Sequence, residues 1–204
     1  MYVSNWPRYD ARDAVRVLFG LISGIMEDMT NLPKDILATI AYYDTFEYPL
    51  TSFEIWKYLL KSKDEEEASK KETVSLGDVM RMLQSDSVEK WIEEREGFYF
   101  LKGRRALVGK RLRRGKIAIR KLRGVRQLVK WLRFVPYVRM VALTGSLAMH
   151  NSDAEGDWDL LVVLRPGHIW TGRTLVTGLL QFLGQRRHGE HTKDRACLNY
   201  WITS

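Results

Sequence analysis

The chain has 204 residues, 45% of them hydrophobic, enough to build the cores of one large or two small domains. A single cysteine, Cys197, excludes an internal disulfide, and no apolar run approaches the roughly 20 residues needed to span a membrane. The net charge of +8 permits an acidic partner, and where the charge sits matters more than its size. The N-terminus lacks the basic-then-apolar layout of a signal peptide, and Cys197 lies in an apolar run. A buried thiol in a reducing compartment, and hence a cytoplasmic protein, is the expectation.

In residues 8–29, Val15, Leu18, Phe19, Ile22, Ile25 and Met26 recur at three- and four-residue spacings. They predict an amphipathic helix that docks onto the domain after it or onto a second copy of the chain. Its charges are mixed rather than basic, which argues against a membrane-surface role. A second helix starts at Asn31-Leu32-Pro33, with Ile36, Leu37, Ile40 and Ala41 as its buried stripe. Thr51-Ser52-Phe53-Glu54 is a capping box that opens a third helix running to Leu60. Residues 61–72 are highly charged and read as a loop. Ser75 and Asp78 open a fourth helix carrying Val79, Met82 and Leu83. Residues 88–92 and 98–101 predict a hairpin turning near Arg95-Glu96-Gly97.

Helices followed by a hairpin resemble a winged helix in pattern over residues 32–101. Such a fold reads DNA with its third helix, here residues 75–84. That helix offers only Arg81 as a cation, among Asp78, Asp86, Glu89, Glu93, Glu94 and Glu96. A surface of this sign repels phosphates, so a structural or protein-contacting role is favoured.

The charge then reverses, and residues 102–139 contain no acidic residue. Val108, Leu112, Ile119, Leu122, Val125, Val129 and Leu132 keep helical period among many Lys and Arg. One long helix, or two bending at Gly115 or Gly124, is expected. Its basic face either meets acidic groups of the same chain or contacts nucleic acid.

Residues 140–143 form a short apolar run ending on Thr144-Gly145-Ser146, and Asp157-Trp158-Asp159-Leu160 leads into a second run, 161–164. Both read as buried strands, joined by a short helix near residues 147–151 and a polar turn at 152–156. Alternation along a strand sends Asp157 and Asp159 to one face and Trp158 and Leu160 to the other. Two carboxylates on one face repel unless a cation lies between them, and a hard divalent ion with oxygen ligands, Mg2+, is the natural candidate. Gly145 permits a close backbone approach, and Ser146 adds a hydroxyl and an N–H suited to phosphate. After the turn at Arg165-Pro166-Gly167, residues 171–185 predict a helix with Leu175, Leu179, Leu180 and Phe182 inward. His188 and His191 lack the spacing of a zinc helix, and residues 196–203 predict a third strand.

Gly145-Ser146, ten residues, then Asp157-Trp158-Asp159-Leu160 resembles the signature of the DNA polymerase β-type nucleotidyltransferase superfamily. The resemblance covers about residues 138–203. It implies an α+β domain with a small mixed sheet, behind the winged-helix-like one. It also implies Mg2+-dependent transfer of a nucleoside monophosphate from a nucleoside triphosphate, ATP first, to an unidentified hydroxyl acceptor. Asp157 and Asp159 would hold the metal, and Gly145 and Ser146 the triphosphate. The superfamily normally carries a third carboxylate on the strand predicted here at 196–203, where Asn199 is the strongest metal-capable residue and Asp194 lies just before. That departure bears on catalysis more than on nucleotide binding. The rivals are an inactive nucleic-acid-binding regulator and an antitoxin-like protein with a protein partner. The expected organisation is an N-terminal helix (1–30), a winged-helix-like domain (31–102), a basic connector (103–137) and a nucleotidyltransferase-like domain (138–204), C-terminally incomplete.

Overall fold

The computed structural model describes residues 31–60, 74–187 and 192–203, and the chain divides after Gly109 into two compact units. The helix expected at 8–29, the charged loop at 61–72 and the segment from His188 to His191 lie outside the described residues. The protein is of mixed α+β type, and the described residues form one three-stranded sheet in each unit.

In the first unit, α1 (Asn31–Asp44) buries Ile36, Leu37, Ile40 and Ala41, the stripe its periodicity predicts. After β1 (Leu50–Thr51), Thr51 and Glu54 close a reciprocal capping box on α2 (Ser52–Lys57). Ser75 and Asp78 do the same for α3 (Leu76–Leu83). Each box satisfies backbone donors that a helix start otherwise leaves open. The hairpin expected from Val88 begins later. Val88 lies in the short helix α4 (Asp86–Glu89), and the paired strands are β2 (Ile92–Arg95) and β3 (Phe98–Leu101). Val88 is fully buried in one core with Leu83 and Ile92. A helical turn satisfies that burial, so the apolar run does not all become strand. Glu96 and Gly97 both have positive φ, 56° and 79°, as a tight two-residue hairpin connection requires. The antiparallel sheet runs in the order β1-β3-β2.

The basic stretch forms one continuous helix, α5 (Ala106–Leu132), which neither Gly115 nor Gly124 interrupts. Within the second unit, β4 (Val138–Leu143), α6 (Gly145–Ala148), β5 (Trp158–Leu164), α7 (Ile169–Phe182) and β6 (Ala196–Thr203) follow. The sheet order is β4-β5-β6, with β4 antiparallel and β6 parallel to the central β5. Val125, Leu128 and Leu132 of α5 share a core with Leu147, Trp158, Leu160, Val176 and Leu180. Two glycines set the helices close to β5. A Cβ on Gly124 would fall 2.8 Å from the Trp158 ring, and one on Gly172 would fall 2.7 Å from Leu164 Cδ2.

The inward face of α7 differs from expectation. Gly172, Val176 and Leu180 are buried, whereas Leu175 and Phe182 are exposed. The helix starts at Ile169, and the close approach at Gly172 fixes its rotation about its own axis. The four-residue row through Gly172 therefore faces the sheet, and Leu175 and Phe182 are left off it.

Candidate functional site

The alternation in Asp157-Trp158-Asp159-Leu160 is realised. Trp158 and Leu160 are 5% and 0% exposed, and Asp159 lies half-buried on the opposite face of β5. Ligand atoms of Asp157, Asp159 and Cys197 lie within 4.8 Å of one another. Cys197 is thus not a core residue. Along β6 it is Ala196 that turns inward, 1% exposed, while Cys197 pairs with Asp159 in register and is half-buried at the site.

Gly145 joins the two halves of the motif physically. Its φ is +67°, and a Cβ there would sit 2.3 Å from Asp159 Oδ2. Only glycine gives both that backbone conformation and that space. The Thr144 N–H and hydroxyl both donate to the Asp159 carbonyl oxygen, at 2.8 and 3.2 Å. The turn out of β4 is therefore fastened to the residue that carries the carboxylate. Ser146 is exposed one position further on, at the start of the four-residue α6.

Arg187 is a member of the site that pattern reading missed. Its Nη1 donates to Asp157 Oδ2 at 2.7 Å and reaches Cys197 Sγ at 3.7 Å. In the sequence it is one more basic residue beyond a helix, with no spacing that ties it to Asp157 thirty positions earlier. Asn199 is the other close neighbour. Its Nδ2 donates to Asp159 Oδ1 at 2.6 Å, and its Oδ1 accepts from Cys197 Sγ at 2.9 Å. A register shift falls here between β5 and β6, after the pair of Asp159 with Cys197. Such irregularities re-aim side chains at the edge of a sheet.

The electrostatics come from this geometry. Burial, and next the negative charge of Asp157, push the Asp159 carboxyl above the usual aspartate range; Arg187 and the Asn199 amide oppose that rise. Burial likewise pushes the Cys197 thiol up, against the pull of Arg187. A thiol kept protonated is a poor ligand for a hard cation. The donor set that fits Mg2+ is therefore the carboxylate pair, whose mutual repulsion such an ion relieves.

Two buried cations hold the loop that leads into Asp157. Arg114 of α5, 8% exposed, donates to both carboxylate oxygens of Asp153, at 2.8 and 3.2 Å, and to Asn151 Oδ1 at 3.2 Å. Lys121, 4% exposed, donates to the Gly156 carbonyl and lies 3.4 Å from Asp194 Oδ1. Asp153 and Asp194 are thereby committed to ion pairs. Burying a charge is costly unless it is paired and hydrogen-bonded, and both cations meet that condition. Compared with models of protein families, with curated proteins and with solved structures, the chain matches none.

Proposed function

We propose that the second unit is a nucleotidyltransferase-like domain of the DNA polymerase β type that binds Mg2+ and a nucleoside triphosphate, ATP first, with transfer activity weakened or lost. The observation that carries this reading is the packing of Gly145 against the Asp159 carboxylate. It joins the Gly-Ser turn to the Asp-x-Asp strand, the two parts of the motif, on the face that also holds Asp157. Apart from the short α4, the helix–strand–helix–helix–hairpin order of the described elements in the first unit supports a winged-helix-like partner domain. The single cation on its α3, Arg81, pairs with Asp78, which disfavours a DNA-reading role for that helix.

Asp157 and Asp159 would hold the ion. When bound, Mg2+ supplies Lewis-acid stabilisation of charge on the phosphoryl oxygens. Transfer forms a bond from the acceptor oxygen to the α-phosphorus and breaks the bond to the departing pyrophosphate, while the acceptor proton passes to a base. Asn199 stands beside Asp159, where a third carboxylate would act, and an amide cannot take that proton. A positioned base contributes roughly 100- to 10,000-fold in rate.

The test is pyrophosphate release from Mg-ATP by wild type and by Asn199→Asp. Release near background in wild type, raised about 100-fold or more in the variant, is the expected result. Wild-type turnover on the order of 1 per second would show that another group supplies the base.

A second reading, nucleic-acid binding through α5, is supported by its outer surface. Arg113, Lys116, Arg120, Arg123 and Lys130 are exposed at alternating three- and four-residue spacings, apart from a gap at Gln127, and they form one stripe along the helix. The stripe and the nucleotide site serve together if the acceptor is an RNA end.

A further inference from the structure

A cationic pocket adjoins the acidic site on the side of β6, the edge strand. Arg173 and Thr177 of α7, Arg186 and Arg187 after it, and Trp201 of β6 line a space of about 310 Å3 that reaches Cys197. Among the described residues, none of those that line it is acidic. The guanidinium of Arg173 lies over the Trp201 ring at 5.4 Å and over the Trp170 ring at 5.5 Å, so stacking holds it in place. Arg186 is fixed through its backbone, in a bridge to Ala196 at the start of β6. Arg187 stands between the two features, with one nitrogen already on Asp157. Three guanidinium groups around one small space repel one another, and an anion with several acceptor oxygens relieves that repulsion. Guanidinium forks match phosphate oxygens in geometry as well as in charge.

We propose that this pocket binds the phosphate or diphosphate group of a substrate, beside the carboxylates of Asp157 and Asp159. The inference deepens the nucleotidyltransferase reading by giving the site a phosphorylated ligand on its β6 side. That ligand is either an acceptor bearing a phosphate ester or the triphosphate itself. The volume suits such a head group and lies at the low end for ligand sites.

The experiment is calorimetric titration of the full chain with inorganic pyrophosphate and no divalent metal. Wild type should bind it. Arg173→Gln and Arg186→Gln should each weaken binding about tenfold or more, the loss of one charge-assisted contact. Arg113→Gln on the exposed face of α5 should leave it unchanged. No binding at millimolar pyrophosphate, or equal weakening by Arg113→Gln, overturns the proposal. Repeating the titration in saturating Mg-ATP separates the two sources: additive binding assigns the pocket to an acceptor, and competition assigns it to the triphosphate. Because pyrophosphate binding is read without metal, it can succeed where Mg-ATP binding fails, and the reverse. The two readings therefore fail separately.

Discussion

Asp159 is held in a way that costs the fold stability at neutral pH. Its carboxyl is raised by burial and by Asp157, so between the ordinary aspartate value and the raised one the native state holds a proton that the unfolded chain has released. Stability is then fully present below the ordinary value, about 3.9, and is lost as pH rises through the raised one. Asp159→Asn escapes this loss and keeps a hydrogen-bonding partner for Asn199. Denaturation midpoints measured across about pH 4 to 8 should show the variant gaining on wild type as pH rises. Parallel curves would contradict the shift. Gly145→Ala probes the same contact from the other side. It forces a residue with a Cβ into φ +67° and into Asp159, which should cost on the order of 1–3 kcal/mol. Combined with Asp159→Ala, the clash is removed and the two effects should fall short of additive. The carboxylate pair and the glycine were legible from residue type and strand parity. Arg187 and the site position of Cys197 were not, because both depend on how β6 pairs with β5.

Elements with strong local signals were legible in the sequence. The buried stripe of α1, the capping boxes of α2 and α3, and the three strands of the second unit each arise from nearest-neighbour chemistry. Where expectation and structure part, tertiary packing decided. Val88 satisfies its burial in a helical turn, and the rotation of α7 is set by the contact between Gly172 and Leu164 rather than by its own apolar residues. That contact makes a paired prediction. Gly172→Ala should destabilise by about 1–3 kcal/mol through overpacking, lowering Tm by roughly 2–4 °C per kcal/mol. Gly178→Ala lies on the same helix with nothing within 4 Å of the added Cβ. It should be neutral or stabilising by up to about 1 kcal/mol. Equal melting points for the two variants would remove the packing account of α7.

At the scale of the molecule, the charge of +8 is divided between two uses. Arg104 and Arg105 pair with Asp44 and Glu93 in the first unit, and Arg114 and Lys121 pair with Asp153 and Asp194 in the second. Acidic groups paired with the start and the middle of the basic segment thus take part of its charge. The stripe from Arg113 to Lys130 is left exposed over about 25 Å, at 1.5 Å per residue. If it binds RNA, affinity should fall steeply with salt. Replacing Arg113, Lys116, Arg120 and Arg123 by Gln should then flatten the slope by up to about one unit per lost phosphate contact. Absence of binding at about 50 mM salt would leave the stripe a solvated surface. No helix among the described residues is long and apolar enough to cross a membrane. The central claim, that the Gly145–Ser146 turn and the Asp157–Asp159 pair form one nucleotide–metal site, is tested most directly by calorimetric titration with ATP in the presence and absence of Mg2+. The account predicts Mg2+-dependent binding that Asp157→Asn and Asp159→Asn each abolish while circular dichroism stays unchanged. Binding of equal strength in wild type and both variants would contradict it.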